Sequence, residues 1–494
     1  MANRNLVFIM SDQQRYDTLS CYGNEWMQTP NLDRLASTSF VFEAAYVAQP
    51  VCTPARASIM TGLYPHAAGP IVNKMSLPGE VPTIAEMVSD DYLCAYMGKW
   101  HLGDDLVRQH GFDIWVSSED THREAYTREE YGDQMSDYHN HLAGSGFQPD
   151  LELAGAKIFS VDARARLPEE FQMASFLGDR AATFIEENKE RPFILYVSTF
   201  EPHSPYDGPF DDLYDPDTLP VGPAFLKKPD GGPLTNRVRA DYFMQYLSGG
   251  DPAQDEYISR AIAPGHDVGS ERGWRRLRAQ YHGNITLVDR MVGKITAALD
   301  RAGIADDTAV VFTSEHGDML GDHGMLEKRS FYEEASRVPL LVRAPWIARD
   351  RRDIGGSVGQ VDLVPTLLDL LGESGPPGVQ GQSLAPVMRG EGDLDGNDVF
   401  IEWNGISHDM EERYLGGAAI NRMLSLPWRS IVSDRWKLNL CAGDQCELFD
   451  LRSDPHEMNN LFDDVRQRDR VRDLAARIRL WQHRTGDVAP LPAV

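Results

Sequence analysis

Short apolar runs with strand character recur along this 494-residue sequence, and each is followed directly by polar side chains. Residues 6–10, 193–200 and 308–313 are three such runs, and segments with helical periodicity lie between them. Continuous apolar runs are typical of strands buried on both faces, as in parallel sheets covered by helices. The alternation predicts an α/β fold with a doubly wound, mixed but mostly parallel sheet flanked by helices.

Polar residues follow these predicted strands at their carboxyl ends. Asp12 and Gln13 follow the first run, His203 follows the second, and Glu315 and His316 follow the third. Ligands of open α/β sheets collect at that edge. Taken singly, an N-cap aspartate or a loop histidine is the more ordinary interpretation. The side-chain oxygens of Asp12 and Gln13 are suitable ligands for a hard cation.

Residues 51–62 read Val-Cys-Thr-Pro-Ala-Arg-Ala-Ser-Ile-Met-Thr-Gly. Proline is favoured at the first helical position, so we expect a helix beginning at Pro54, with Cys52 at its N-terminus. Free N–H groups and the helix dipole favour an anion there, and Arg56 adds a planar cation. A lone cysteine is more often a small buried residue or an ordinary thiol, and this segment alone leaves both interpretations open.

Residues 96–103, Tyr-Met-Gly-Lys-Trp-His-Leu-Gly, form a second notable segment. On an extended chain, residues i and i+2 share a face, so Lys99 and His101 could contact one substrate. Asn73 and Lys328 are further polar candidates. Each of these residues, taken alone, would be predicted to lie in a surface turn or on the solvated surface.

Composition restricts the class of partner. The formal net charge of −27 repels nucleic acid and anionic membranes, so an anionic substrate needs a local positive pocket. The cysteines are few and odd in number, which argues against a disulfide framework. They are Cys21, Cys52, Cys94, Cys441 and Cys446. The last two could approach each other across a turn, and we expect them to be reduced.

The predicted domain organisation is a catalytic α/β domain over residues 1–390 and a C-terminal antiparallel subdomain over 391–494. Polar insertions interrupt the first domain near residues 117–162 and 206–273. His139 and His141 in the first insertion could bind a metal, but no second pair lies nearby. The apolar start, residues 6–10, is too short for a signal peptide, and no stretch is long enough for a membrane span. These features predict a cytoplasmic protein.

The motifs together resemble those of the type I sulfatases of the alkaline phosphatase superfamily, close to arylsulfatases, choline sulfatases and phosphonate monoester hydrolases. The resemblance lies in Cys-x-Pro-x-Arg with Ala-Ser-x-Met-Thr-Gly, in Gly-Lys-Trp-His-Leu-Gly, and in Asp-Leu-x-x-Asp-Pro at 450–455. It implies that a formylglycine-generating enzyme oxidises Cys52 to formylglycine. It also implies hydrolysis of aryl or alkyl sulfate monoesters to an alcohol and inorganic sulfate.

The resemblance further implies one divalent cation, Ca²⁺ or Mn²⁺. Its implied ligands are Asp12, Gln13, residue 52, Glu315 and His316. The family usually has Asp where this chain has Glu315, and the extra methylene leaves the identity of the metal open. Asp322 and His323 are a rival pair, less favoured because they lie further from the strand end.

The implied catalytic roles divide between holding sulfate and moving protons. Arg56, Lys99 and Lys328 make the sulfate pocket cationic, and Asn73 contacts the nucleophile or the ester. His203 protonates the leaving oxygen. His101 contacts formylglycine and later helps to expel sulfate.

Two other interpretations remain. Gln13 and His316 resemble phosphonate monoester hydrolases, so phosphonate monoester or phosphate diester hydrolysis is the alternative activity, and promiscuity is plausible. Those enzymes have Tyr and Thr in place of Lys99 and His101, which favours a sulfatase. A non-catalytic metal-binding protein with an intact Cys52 thiol belongs to a different class. The natural alcohol is not given by the sequence, and a homo-oligomer, dimer or tetramer, is expected from the resemblance.

Overall fold

The computed structural model describes residues 4–120, 123, 126–153, 156–255, 258–259, 263, 265–405 and 423–494. The strands of this part are β1 (Asn5–Ser11), β2 (Phe40–Tyr46), β3 (Leu93–Gly98), β4 (Ile114–Ser117), β5 (Leu151–Leu153), β6 (Ala156–Ile158), β7 (Phe193–Ser198), β8 (Thr308–Ser314), β9 (Arg337–Val338), β10 (Leu340–Arg343), β11 (Arg352–Gly359), β12 (Asp398–Trp403), β13 (Trp428–Ser433), β14 (Trp436–Cys441) and β15 (Glu447–Asp450).

The α-helices of the same part alternate with these strands. They are α1 (Pro30–Ala36), α2 (Cys52–Thr61), α3 (Pro65–Ala68), α4 (Ile84–Met87), α5 (Asp137–Gly144), α6 (Val161–Arg166), α7 (Met173–Asn188), α8 (Leu234–Met244), α9 (Glu271–Ala302), α10 (Glu333–Ser336), α11 (Leu363–Leu371), α12 (Ala385–Met388) and α13 (Arg468–Thr485).

The main sheet has nine strands in the order β11-β2-β10-β8-β1-β7-β3-β4, with β9 paired to β2. Strand β1 lies between β8 and β7 and is parallel to both. Strand β10 is antiparallel to β8 and β2, so the sheet is mixed but mostly parallel. This arrangement confirms the predicted α/β class.

Helices cover both faces of this sheet. Phe8 of β1 packs in a cluster that includes Ile59 of α2, on one face. Ile9, the next residue, belongs to a separate cluster with Leu287 of α9. Successive side chains of a strand point to opposite faces, so both faces of β1 are buried. Two-sided burial explains why residues 6–10 are apolar without alternation.

Helix α2 begins earlier than the sequence predicts. Cys52 is its first residue, Val51 is the extended N-cap, and Pro54 lies at the third helical position. The expectation of Pro54 at the first position is therefore wrong. The first four N–H groups of a helix have no intrahelical acceptor, so a proline anywhere in this turn is tolerated. The expectation that Cys52 lies at a helix N-terminus is correct.

The C-terminal part forms its own four-stranded antiparallel sheet, in the order β12-β13-β14-β15. Helix α13 packs on it through Leu474 and Ile478, which lie in one cluster with Leu438 of β14. Cys441 and Cys446 both carry free thiols, as expected. Among the described residues, no helix combines the length and apolar character needed to cross a bilayer.

A buried lysine joins the small sheet to the main domain. Lys437 of β14 is fully buried, and its Nζ lies 2.7 Å from Glu333 Oε1 and 2.8 Å from Glu457 Oε1. The same Nζ donates to the carbonyl of Phe331 at 2.5 Å. A charge in this environment is stable only because opposite charges and acceptors surround it. Strand β14 is thereby tied to Phe331 and to Glu333, the first residue of α10.

Replacing this cation tests the connection between the two sheets. Lys437→Met leaves Glu457 buried without its counter-ion, and it leaves Glu333 with Arg337 as its remaining counter-ion, at 3.2 Å. We expect the free energy of unfolding to fall by about 3–5 kcal/mol, measured by urea denaturation. Arg452→Ala is the matched control, because Arg452 pairs with Asp434 at 3.9 Å with both side chains about two-thirds exposed. The free energy of unfolding of this control should change by no more than about 0.5 kcal/mol. An equal loss in both variants would contradict the role of Lys437 as a buried counter-ion.

Candidate active site

The candidate active site lies at the carboxyl edge of the main sheet. Register pairs Ser11 of β1 with Ser314 of β8, and Gly98 of β3 with Ser198 of β7. The residues that follow these strand ends, among them Asp12 and Lys99, therefore leave the sheet at one level. The N-terminus of α2 meets the same edge, and its first residue is Cys52.

Four side chains form a buried cluster of possible metal ligands. The ligand atoms of Asp12, Cys52, Glu315 and His316 all lie within 4.8 Å of one another. Cys52 Sγ is 3.2 Å from His316 Nε2, and this nitrogen is 3.3 Å from Glu315 Oε1. No other group of three or more His, Cys, Asp or Glu ligand atoms gathers this closely among the described residues.

The cluster has the chemistry of a cation site. Asp12 Oδ1 and Glu315 Oε1 are buried and accept no hydrogen bond. Buried polar atoms are ordinarily hydrogen-bonded, so these two oxygens need another partner. Burial lowers the pKa of His316, but the Cys52 thiol and Glu315 raise it to about 9, which shows how strongly the cluster favours positive charge. Carboxylate oxygens with one imidazole fit a divalent cation.

The longer side chain at position 315 does not remove its carboxylate from this cluster. Glu315 Oε2 contacts the Nε of Arg56, and Oε1 faces His316. The departure from the family's Asp is therefore accommodated within the buried site.

Gln13 is held by a different set of partners. Its Oε1 accepts from Lys328 Nζ at 2.6 Å, and its Nε2 donates to Asp318 Oδ2 at 2.5 Å. The carbonyl oxygen that the sequence suggests for a cation is thus in contact with a lysine. Gln13 itself has a φ of +71°, which is uncommon for a residue other than glycine.

Lys99 and Arg56 neutralise the acidic groups of the cluster. Lys99 Nζ lies 2.7 Å from Asp12 Oδ2, and Arg56 Nη1 donates to Lys99 O at 2.6 Å and to Ser198 Oγ at 2.9 Å. Burial lowers the pKa of Lys99, but Asp12, Glu119 and the other acidic neighbours together raise it more, so it ends well above its ordinary value. Burial raises the pKa of Asp12, but the positive charges of Lys99 and Arg56 help to bring it well below its ordinary value. These groups are therefore charged in the folded protein.

His203 and Lys328 form a second pair. Lys328 Nζ is 2.7 Å from His203 Nε2, and His203 Nδ1 is 2.6 Å from the carbonyl of Ser204. Burial and the Lys328 ammonium lower the pKa of His203 well below its ordinary value. A neutral ring with its hydrogen on Nδ1 satisfies both contacts, because Nδ1 then donates to Ser204 and Nε2 accepts from Lys328.

Asn73 and His101 both support the first turn of α2. Asn73 Oδ1 accepts from the backbone N–H of Thr53 at 3.1 Å. Thr53 Oγ1 donates to the carbonyl of His101 at 2.9 Å, and the backbone N–H of His101 donates to Asp105 at 2.6 Å. Asn73 and His101 therefore both lie beside Thr53, the residue that directly follows Cys52.

The rival ligand pairs have other partners. Asp322 accepts from Arg15 at 2.7 Å and from Arg278 at 3.3 Å, and His323 stacks on Tyr332 with ring centroids 3.9 Å apart. His139 packs against Phe159 on the first insertion, outside the cluster.

Three residues near the site were not predicted from the sequence. Phe200 lies under Lys99, with Nζ 4.7 Å from the ring centroid, and Glu119 Oε2 is 3.9 Å from the same nitrogen. Asp318 contacts Gln13. Only Asp318 gave a signal in the sequence, because it stands two residues after His316.

Comparison with known proteins agrees with this geometry. The family profile described as "Sulfatase" matches residues 4–373, and one described as "N-sulphoglucosamine sulphohydrolase, C-terminal" matches residues 321–484. A choline-sulfatase of Rhizobium meliloti (strain 1021) is 30% identical over 475 residues, covering 94% of this chain and 83% of that protein.

Two further similarities cover nearly the whole chain. The multifunctional alkaline phosphatase superfamily protein PehA of Trinickia caryophylli is 28% identical, covering 98% of this chain and 96% of that one. The structure of a phosphonate monoester hydrolase from Silicibacter pomeroyi matches with a TM-score of 0.76 at 23% identity, over 98% of this chain and 96% of that one. At that identity the likeness shows the fold. Since the sulfatase profile spans most of the sequence, the chain belongs to the sulfatase family of the alkaline phosphatase superfamily and is a sulfuric ester hydrolase.

Proposed function

We propose that Cys52 is converted to formylglycine, and that one hydroxyl of its hydrated aldehyde attacks the sulfur of a sulfate monoester. The observation that carries this proposal is the position of Cys52 Sγ, buried at the N-terminus of α2 and 3.2 Å from His316. Sγ marks the place of the oxygens that formylglycine carries on the same carbon. An ordinary buried thiol would not account for the neighbouring carboxylate oxygens that accept no hydrogen bond.

A divalent cation, Ca²⁺ or Mn²⁺, would be held by Asp12, Glu315, His316 and residue 52, and would supply Lewis-acid stabilisation of negative charge on the transferring group. Gln13 remains a predicted further ligand through the carbonyl oxygen that Lys328 also contacts.

The charges of the site suit a sulfate monoanion. Arg56, Lys99 and Lys328 together with a divalent cation outweigh Asp12 and Glu315, within a protein of net charge −27. A cationic pocket inside a strongly negative protein concentrates the affinity for anions at one place. Fixed charges directed at the sulfuryl oxygens also stabilise the transition state without reorganisation.

His203 and Lys328 supply the proton for the leaving oxygen. His203 is neutral before substrate binds, because burial and Lys328 lower its pKa. The 2.7 Å contact places an N–H of Lys328 against the nitrogen that must carry the proton, so the two side chains act as one acid. After transfer, His101 removes the proton of the remaining hydroxyl at position 52. Sulfate leaves and the aldehyde is regenerated.

Hydrolysis of phosphonate monoesters is the second candidate activity. Gln13 and His316 favour it, because both residues resemble that branch of the superfamily. Lys99 and His101 favour sulfate, because the phosphonate enzymes have Tyr and Thr at these positions. A maturation enzyme as transient partner, a homo-oligomer and a cytoplasmic location remain predictions.

The state of residue 52 is the first test. In protein produced together with a formylglycine-generating enzyme, we expect mass spectrometry of the peptide spanning Cys52 to show the aldehyde. Cys52→Ser, in a host whose maturation enzyme acts on cysteine, should release at most one equivalent of alcohol per chain. A sulfated serine cannot eliminate sulfate as the hydrated aldehyde does. An intact thiol in active wild-type protein would refute the proposed nucleophile.

Substrate preference is the second test. We expect kcat/KM for 4-nitrophenyl sulfate to exceed that for 4-nitrophenyl phenylphosphonate, because Lys99 and His101 fit the smaller tetrahedral sulfate. Lys99→Tyr/His101→Thr should lower the sulfate rate more than the phosphonate rate. A large preference of the wild-type protein for the phosphonate would instead support the second candidate activity.

A further inference from the structure

Asp318 is a buried carboxylate that takes no part in the chemistry above. It lies four residues after β8 and is inaccessible to solvent. Its Oδ2 accepts from Gln13 Nε2 at 2.5 Å and from the Tyr206 hydroxyl at 2.6 Å. Its Oδ1 accepts from the backbone N–H of Leu320 at 2.9 Å. These three donors fix the carboxylate in one orientation.

A continuous chain of hydrogen bonds leads from this carboxylate to the proton donor. Gln13 donates to Asp318, Lys328 donates to the other end of the Gln13 amide at 2.6 Å, and Lys328 contacts His203 at 2.7 Å. The direction of the amide is unambiguous. An ionised carboxylate only accepts and an ammonium only donates, so Nε2 must face Asp318 and Oε1 must face Lys328.

The backbone of Gln13 is fixed as firmly as its side chain. Its φ of +71° lies in the left-handed region, which a residue other than glycine adopts only where its surroundings hold it. The Tyr281 hydroxyl donates to the carbonyl of Gln13 at 2.7 Å and accepts from the N–H of Arg15 at 2.9 Å. Both ends of the residue are therefore anchored next to Asp12.

The geometry points to Asp318 as a positioning residue that orients the Gln13 amide, so that its carbonyl holds the Lys328 ammonium against His203. This inference rests on the proposed role of His203 and Lys328 as the acid. Without the acceptor at position 318, the nitrogen end of the amide loses its carboxylate partner, and Lys328 alone is left to orient the side chain. The contact of the ammonium with Gln13 is then held less firmly, and His203 and Glu327 are its remaining partners.

The inference also explains why position 13 carries an amide. A carboxylate at position 13 would place an oxygen where Nε2 now contacts Asp318. Two buried like charges in contact are unfavourable. Gln13 and Asp318 are therefore a matched pair of amide and carboxylate. Exchanging the two functional groups should preserve the match.

The exchange is the experiment that tests this inference. Asp318→Asn replaces the carboxylate with an amide. With the new oxygen accepting from the N–H of Leu320, the new nitrogen meets Gln13 Nε2, and these two donors displace the Gln13 amide. Gln13→Glu in the same protein restores one donor and one acceptor. The new amide at position 318 donates to the new carboxylate at position 13, whose other oxygen accepts from Lys328. The four proteins of the cycle are assayed with 4-nitrophenyl sulfate and with a simple alkyl sulfate.

We expect Asp318→Asn to lower kcat/KM for the alkyl sulfate roughly 10- to 100-fold, the usual size for a misplaced catalytic group. The loss should be several-fold smaller for 4-nitrophenyl sulfate, because a good leaving group needs little protonation. The double variant should recover most of the loss. Asp289→Asn is the matched control, because Asp289 is a buried aspartate that binds Asn31 far from this chain of bonds, and it should affect both esters equally.

A second readout does not depend on catalysis. The thermal unfolding midpoint in the presence of a chelator should fall in Asp318→Asn and recover in the double variant, whether or not Cys52 is modified. The inference would be overturned if the loss of activity in the double variant were no smaller than the product of the losses in the two single variants, and if its midpoint were no higher than the sum of their shifts predicts. Equal losses for the two esters would overturn it as well. Should Asp318→Asn not fold, Gln13→Met removes both amide contacts and must show the same leaving-group dependence.

Discussion

The buried ion pair between Asp12 and Lys99 is the interaction on which the site depends. Burial disfavours both charges, and each is stable only because the other lies 2.7 Å away and Arg56 lies beside them. The pKa of Asp12 is accordingly low and that of Lys99 is high. Asp12 Oδ1 still has no hydrogen-bond partner. One carboxylate thus pairs with Lys99 through one oxygen and keeps its other oxygen free of hydrogen bonds.

The sheet brings these groups together. Asp12, Lys99 and Glu315 each follow the last residue of a strand, and β3, β7, β1 and β8 are adjacent and parallel. A parallel arrangement directs every strand end to one edge. These three charged residues therefore come together without a long loop. Helix α2 adds Cys52 from the side, with the backbone N–H groups of its first turn nearby.

The sequence predicted this framework well because it depends on periodicity. Residues 6–10 and 308–313 form strands whose two faces are both buried, which is why these runs carry apolar side chains without strict alternation. Helix boundaries were less accurate. Helix α2 begins at Cys52 and not at Pro54. The first turns of α9, from Glu271, give a weak helical pattern because several arginines interrupt the apolar positions, although Ser270 caps this end. One of them, Arg278, is buried beside Asp322.

Side-chain partners were the part that the sequence could not supply. Arg56 was expected to add positive charge near Cys52, but the sequence did not indicate that its guanidinium contacts Asp12, Glu315, Ser198 and the carbonyl of Lys99. Gln13 was expected to face a cation, yet Lys328 holds its oxygen. Such contacts depend on backbone angles and on neighbours hundreds of residues away in the chain. Motifs indicate which residues meet, whereas packing decides which atoms touch.

The most direct test of the account is the position of a metal in crystals of the matured protein grown with Mn²⁺. The account predicts a single anomalous peak at the carboxyl edge of the main sheet, bound by Asp12, Glu315, His316 and residue 52. A peak elsewhere, or Asp12 and Glu315 turned away from an empty centre in an active enzyme, would contradict it.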